Sequence, residues 1–439
     1  MFGYYLDLAL RSLKRNKVLT GLMVLAIAVG IGASMTTLTV MYLLSGDPLP
    51  GKSAHLYYPQ LDPETGANVR SYPPDMIDYI SAHDLWQSGK ADRQAMIMLG
   101  SIKVQPGRIG QSPFMADTLA TTSDFFPMFN VPFRYGGAWN PADEARGARQ
   151  VVISDVLNQR LFGGANSVGR TIVLNGASVQ VVGVLDHWRP RPLFYMLIGA
   201  HYAGGDTGGF YARTQDVFLP LPAALDINAG NFSWFTCWGK PDRINLTTAP
   251  CESVALWVEL DTPAKAAAYG RYLEAYDAQQ RALGRFTHPA NTRLMSLPQW
   301  MAFQNVVPSD VKLQTWLAFG FLLVCLFNTV GLLLAKFLRR SGEIGVRRAL
   351  GATRGAIFAQ CLVEAGVIGL LGGLGGLLLT LLGLWLMRQQ PVEYADVVAL
   401  NVPMFLLTFA SSIGAALLAG AFPAARASRV APALQLKTL

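Results

Sequence analysis

Val18-Leu-Thr-Gly-Leu-Met-Val-Leu-Ala-Ile-Ala-Val-Gly-Ile-Gly-Ala-Ser-Met-Thr-Thr-Leu-Thr-Val-Met-Tyr-Leu-Leu44 is a run of 27 residues without one charged side chain. About 20 apolar residues in a helix cross the hydrocarbon core of a bilayer. A secretory leader carries an apolar stretch of only about 7–15 residues before a small-residue cleavage site. The run is therefore read as a retained anchor. Three more runs lie toward the other end of the chain. Trp316–Phe337 is interrupted only by Asn328 and by Lys336 at its edge, Val367–Met387 is uncharged and rich in glycine, and Val402–Phe422 is uncharged. The whole chain agrees: of 439 residues 51% are apolar and 15% charged, with a mean hydropathy of +0.30. An ordinary soluble domain carries about 25% charged residues. Disorder needs low hydrophobicity and high charge, so it is excluded too.

The net charge of +8 raises the question of nucleic acid. Its distribution answers it. Residues 45–310 hold 21 Lys/Arg and 23 Asp/Glu, a net of −2; the remaining residues hold 15 and 5, a net of +10. That excess clusters at Arg11, Lys14, Arg15 and Lys17, at Lys336, Arg339, Arg340, Arg347, Arg348 and Arg354, and at Arg426, Arg429 and Lys437. With four spans, all three clusters fall on one side of the membrane. Lys and Arg in short loops mark the cytoplasm. Both termini and the loop between the second and third spans are thus expected inside, and the large domain outside, with membrane lipid as surroundings and no nucleic-acid partner. Phe2, Leu6, Ala9, Leu10 and Leu13 share one helical face, which predicts an interfacial amphipathic helix ahead of the first span.

Residues 45–310 read as mixed α/β. Asn175-Gly176 stands between apolar runs, a strong hairpin signal. Val151–Ile153, Val217–Leu219 and Val254–Leu260 are strand candidates. Thr262-Pro263 predicts a helix start, the helix running to about Ala282 and ending at Gly284. Cys237 and Cys251 are the only cysteines in this region. An oxidising compartment allows a disulfide, but spacing does not fix geometry, and two free thiols remain the other reading. The four cysteines lack metal-site spacing, and the five histidines (His55, His83, His187, His201, His288) are scattered. No catalytic, metal or cofactor-binding constellation is expected. Gly46-Asp-Pro-Leu-Pro-Gly51-Lys52-Ser53 satisfies the phosphate-loop pattern literally. Pro48 and Pro50 remove two amides that such a loop needs, and Ala54–Pro59 looks extended rather than helical. Nucleotide binding there is not expected.

Arg339-Arg-Ser-Gly-Glu-Ile-Gly-Val-Arg-Arg-Ala-Leu-Gly-Ala-Thr-Arg354 predicts a short helix inside the loop. Glu343 lies near its start, Arg347 and Arg348 near its end, which suits the helix dipole. Gly351 is placed to cap it. Ile344, Val346, Ala349 and Leu350 give it an apolar side able to dock on a cytoplasmic partner. In the next span Gly369/Gly373 and Gly372/Gly376 are small-xxx-small pairs, which let helices approach closely within a chain or between chains. Glu364 sits at that span's inner edge, facing an arginine or the headgroups.

These residues resemble the MacB/FtsX-like permeases of ATP-binding-cassette systems. The resemblance rests on Ala9-Leu-Arg-Ser-Leu-Lys-Arg-Asn16, on Glu343-Ile-Gly-Val-Arg-Arg-Ala-Leu-Gly-Ala352, and on Phe422-Pro-Ala-Ala-Arg-Ala-Ser428 with Pro432-Ala433. Thr122-Ser-Asp-Phe-Phe126, Leu161-Phe-Gly-Gly164 and Val181-Val-Gly-Val184 also look like the family's periplasmic domain. It implies an α-helical membrane protein with four transmembrane helices and a large extracytoplasmic α/β domain inserted between the first and second. The expected divisions are 1–17 interfacial helix, 18–44 first span, 45–310 periplasmic core with an inserted part near 126–214, 311–338 second span, and 339–366 coupling loop. The third span follows at 367–387, then a periplasmic loop at 388–401, the fourth span at 402–422 and a cytoplasmic tail at 423–439. By resemblance, Glu343, Ile344, Gly345, Arg347, Arg348, Ala349, Leu350, Gly351 and Ala352 seat on a separate cytoplasmic ATPase, and a second permease chain completes a homodimer or heterodimer in the bacterial inner membrane. ATP-driven motion would pass through the spans to the outer domain. The implied work is export of a peptide, siderophore or drug with a periplasmic adaptor and outer-membrane channel. The alternatives are lipoprotein release of the LolC/LolE type, or FtsX-like control of a cell-wall hydrolase.

Overall fold

The structure, a computed structural model, describes residues 2–67, 69–107, 112–202, 209–307, 309–389 and 402–429. The expected periplasmic loop beyond residue 389, and the tail with Pro432-Ala433 and Lys437, lie outside them. The chain forms two compact units, one from residues 1–46 with 307–439 and one from 47–306.

The first unit is helical. Helices Lys17–Leu44, Ser309–Arg339, Arg354–Arg388 and Val402–Ser428 supply four stretches long and apolar enough to cross a membrane. Phe2–Arg15 precedes them, and the short helix Ser341–Ala349 joins the second span to the third. On Phe2–Arg15 the buried side is Ala9, Ser12 and Leu13, whereas Leu10 is exposed. Glycines set how closely the spans pack. A Cβ on Gly372 would stand 2.6 Å from Cγ2 of Ile27, and one on Gly376 would stand 3.0 Å from Cγ2 of Ile31. Gly369 and Gly373 abut Ala416 and Ser412 on the fourth span in the same way. The two small-residue pairs thus face two different neighbours of the same chain. The second span is the least covered, exposing Trp316, Leu317, Leu323 and Phe327.

The second unit is built on a 13-stranded sheet. Its main path runs Arg293–Ser296, Leu56–Gln60, Cys251–Glu259, Arg93–Gln105, Phe114–Thr121, Val217–Pro220, Gln150–Ile153, Ala177–Leu185 and Phe133–Gly136. Pairing is antiparallel except between Phe114–Thr121 and Val217–Pro220 and between Gln150–Ile153 and Ala177–Leu185. Such parallel neighbours need crossovers, which is why helices interrupt this half of the sheet. The buried side of the long strands, with Met96, Met98, Ile102, Val181, Val217, Leu256 and Val258, forms the core. Asn175 (φ 47°) and Gly176 (φ 86°) make a two-residue turn, closing Thr171–Leu174 onto Ala177–Leu185. Thr262 caps the helix Pro263–Ala282 by accepting the Lys265 amide proton at 3.2 Å.

The sheet register puts Cys237 directly opposite Cys251, and the structure joins them in a disulfide. The phosphate-loop look-alike is a turn leading into strand Leu56–Gln60, and its lysine is committed elsewhere. Lys52 Nζ donates to the carbonyls of Pro127 and Met128 at 2.8 and 3.2 Å and lies 3.3 Å from Glu259. Thr122–Phe126 is an anchor: Asp124 accepts the Gln94 amide proton at 3.1 Å, and Phe125 and Phe126 are buried among aromatic rings.

Candidate functional site

The loop helix inherits its position from the two spans it connects. The second span ends at Arg339, Arg340 turns the chain, and Ser341–Ala349 forms the helix. Its end needs a positive φ, which Gly351 provides at +100°. Thr353 then caps the third span through the Ala356 amide.

Five charged residues knit this corner together. Glu364 is 2% exposed and accepts from Ser12, from Lys336 at 2.7 Å and from Arg340 at 3.2 Å. Lys336 is completely buried and reaches Thr20 on the first span at 3.4 Å. Arg340 also donates to Ser12 at 2.8 Å and to Glu343 at 3.1 Å. Glu343 in turn receives Arg347 at 3.1 Å, and Arg347 donates to Gln360 at 3.0 Å. The N-terminal helix, the first three spans and the loop helix are therefore tied by one chain of charge-assisted hydrogen bonds, the stronger kind. Partial burial alone would raise the Glu343 carboxyl, but Arg340 and Arg347 hold it below its ordinary value.

The apolar side read from the sequence divides in two. Ile344 and Gly345 are buried against the spans. Val346, Ala349 and Leu350 face outward, Leu350 at 83% exposure. The helix thus has one face fastened to the bundle and another free to be covered. Arg347 lies on the fastened face, bonded to Glu343 and Gln360; Arg348 and Ala352 are half-buried and Gly351 is exposed. Of the two surroundings weighed for Glu364, the structure selects the arginine. That arginine is Arg340, and the structure adds Lys336, Ser12 and Gln360 as partners that sequence reasoning missed. A lysine inside an apolar run was the available signal, because a charge there is normally paired and functional.

The α/β unit holds a second polar concentration. The scattered histidines gave no expectation of convergence, yet His288 lies beside Asp62 and Glu64. Arg70 pairs with Glu64 at 2.7 Å, and burial beside Glu64 pushes the Glu252 carboxyl up to about 10.

Two family models match the chain: the MacB-like periplasmic core domain over residues 20–276 and the FtsX-like permease C-terminal domain over residues 316–432. Among curated relatives, the pyoverdine export ATP-binding/permease protein PvdT of Pseudomonas entomophila is 26% identical over 76% of this chain and 44% of its own. The macrolide export ATP-binding/permease protein MacB of Wolinella succinogenes is 24% identical over 98% of this chain and 60% of its own. An uncharacterised ABC transporter permease of Bacillus subtilis, YknZ, is 21% identical over 84% of this chain and 83% of its own. The chain spans about half the length of the first two.

Proposed function

This chain belongs to the MacB/FtsX-like family of ABC transporter permeases, and from that membership we propose that it is a membrane subunit coupling a cytoplasmic ATPase to an extracytoplasmic domain. The observation that carries this reading is the two-faced loop helix. Val346, Ala349 and Leu350 form the docking face, flanked by Arg348, Gly351 and Ala352. Glu343 and Arg347 transmit, because they bolt the helix to Arg340 and Gln360. A push on the outer face then moves the second and third spans together. Gly369, Gly372, Gly373 and Gly376 keep the third span in close register with its neighbours, so the push travels as a rigid displacement rather than being lost in side-chain rearrangement.

In this reading the termini and the 339–366 loop are cytoplasmic, as the positive charge of the membrane segments supports. Residues 45–310 form the extracytoplasmic core, with an inserted part near 126–214. The ATPase is a separate subunit, the permease works as a pair, and the cargo is a peptide, siderophore or drug passed to an adaptor and an outer-membrane channel. The export roles printed in the names of the two relatives above support that cargo class.

The test is purification of the tagged chain from native membranes, with partners and stoichiometry read by mass spectrometry. An ATPase at one copy per permease, together with an adaptor, is expected. Recovery without any ATPase would overturn the coupling role. A cell-wall hydrolase in place of the adaptor would overturn export and leave coupling standing.

A further inference from the structure

Asp62, Glu64 and His288 come from distant parts of the α/β unit, and the fold brings one donor atom of each within 4.8 Å of the others. All are buried, at 2%, 6% and 4% exposure. Glu252, 4% exposed, lies against Glu64, and its Oε1 has no hydrogen-bond partner among the described residues. A buried carboxyl oxygen without a hydrogen-bond partner is costly, and a ligand at the cluster would relieve it.

The orientation of the donors is already set. His288 Nε2 faces the Gly66 carbonyl at 2.9 Å, so that nitrogen carries a proton. The other, Nδ1, points at Asp62 Oδ2 at 3.1 Å. A ring N–H tied to a backbone carbonyl is how proteins fix the tautomer of a metal-binding imidazole. Asp62 Oδ1 accepts the Glu64 amide proton at 3.2 Å, and Arg70 holds Glu64 Oε1 at 2.7 Å. Each of these supports steadies a donor.

A cavity of about 340 Å³, lined among others by Arg70, Tyr202, Thr236 and Glu252, opens beside the two residues that flank Glu64.

We propose that Asp62, Glu64 and His288, with Glu252 beside Glu64 as an outer support, form a divalent transition-metal site of the zinc class in the α/β unit. One imidazole nitrogen with carboxylate oxygens suits zinc or cobalt. Calcium takes six to eight oxygens, and magnesium avoids nitrogen. On binding, the ion replaces any proton held between Nδ1 and Asp62, and that proton leaves to solvent. The ion would staple the 61–66 segment to the segment carrying His288.

The experiment uses the full chain in detergent, stripped with a chelator and titrated with zinc chloride by calorimetry. Cobalt chloride is added in parallel and followed by its visible absorption. Expected are one equivalent of zinc per chain, proton release that varies with buffer, and a low-coordinate cobalt spectrum. Affinity should fall at least tenfold in Glu252→Gln and in His288→Gln. Calcium and magnesium chloride should not compete. The proposal is overturned if the wild-type chain takes up no zinc, or if both variants bind it as tightly as wild type. Should a variant fail to fold, the wild-type cobalt spectrum still decides: a six-coordinate aqua-like spectrum, or one with sulfur-ligand charge transfer, overturns the site.

Discussion

Glu364→Gln removes one charge from the most constrained point of the helical unit. Lys336 is fully buried and has only Glu364 as an anionic partner among the described residues. Arg340 keeps Glu343. The substitution therefore leaves one buried ammonium without a counter-ion, a change that costs about 3–5 kcal/mol. Lys336→Met should cost less, roughly 1–3 kcal/mol, because Glu364 still receives Ser12 and Arg340. The double variant removes both the stranded charge and its missing partner. Its cost should fall short of the sum of the two single costs by at least about 1.5 kcal/mol. Denaturant unfolding of the full chain in micelles measures all three, and Cys361, buried beside this network, reports local opening through thiol labelling. Glu364→Gln within about 0.5 kcal/mol of wild type, or additive single costs, would refute the reasoning.

Val346→Asp with Leu350→Asp should abolish ATPase co-purification while changing stability by no more than about 0.5 kcal/mol, since both side chains are exposed; Arg347→Glu should lower both, because Glu343 and Gln360 lose their partner. Gly372→Leu should destabilise by about 1–3 kcal/mol or more through collision with Ile27, whereas Gly331→Ala, with nothing within 4 Å, should melt like wild type. Reduction of Cys237–Cys251, which closes a loop of sequence separation 14, should cost the α/β unit about 3 kcal/mol in unfolding free energy. Glu343 has a folded-state pKa below its ordinary 4.5, so its support of the loop helix is complete above that value and lost as pH falls through the depressed one. Protease sensitivity of residues 339–353 should therefore rise only under acid, and a rise between pH 6 and 8 would count against it.

The spans, the 175–176 hairpin and the caps at Thr262 and Gly351 were legible before any coordinates, because each is local physics. An uncharged run of 27 residues has the length of a bilayer crossing whatever surrounds it. Asn-Gly satisfies a positive-φ turn by itself. The family resemblance was legible for the same reason, since its motifs are short and contiguous. The faces were only half legible. Helical periodicity grouped Ile344 with Val346 and Leu350, yet packing buried the first and left the others exposed. Spacing identifies which residues share a stripe, not which edge of it meets a neighbour.

What the tertiary structure alone decided are the partners. Ser12 meets Glu364 across 352 residues, His288 meets Asp62 across 226, and Gly369 and Gly372 turn to different spans. No local preference encodes such pairings. They follow from burial, which leaves a charge or a polar atom no water to bind and so forces it onto whatever the fold brings within reach.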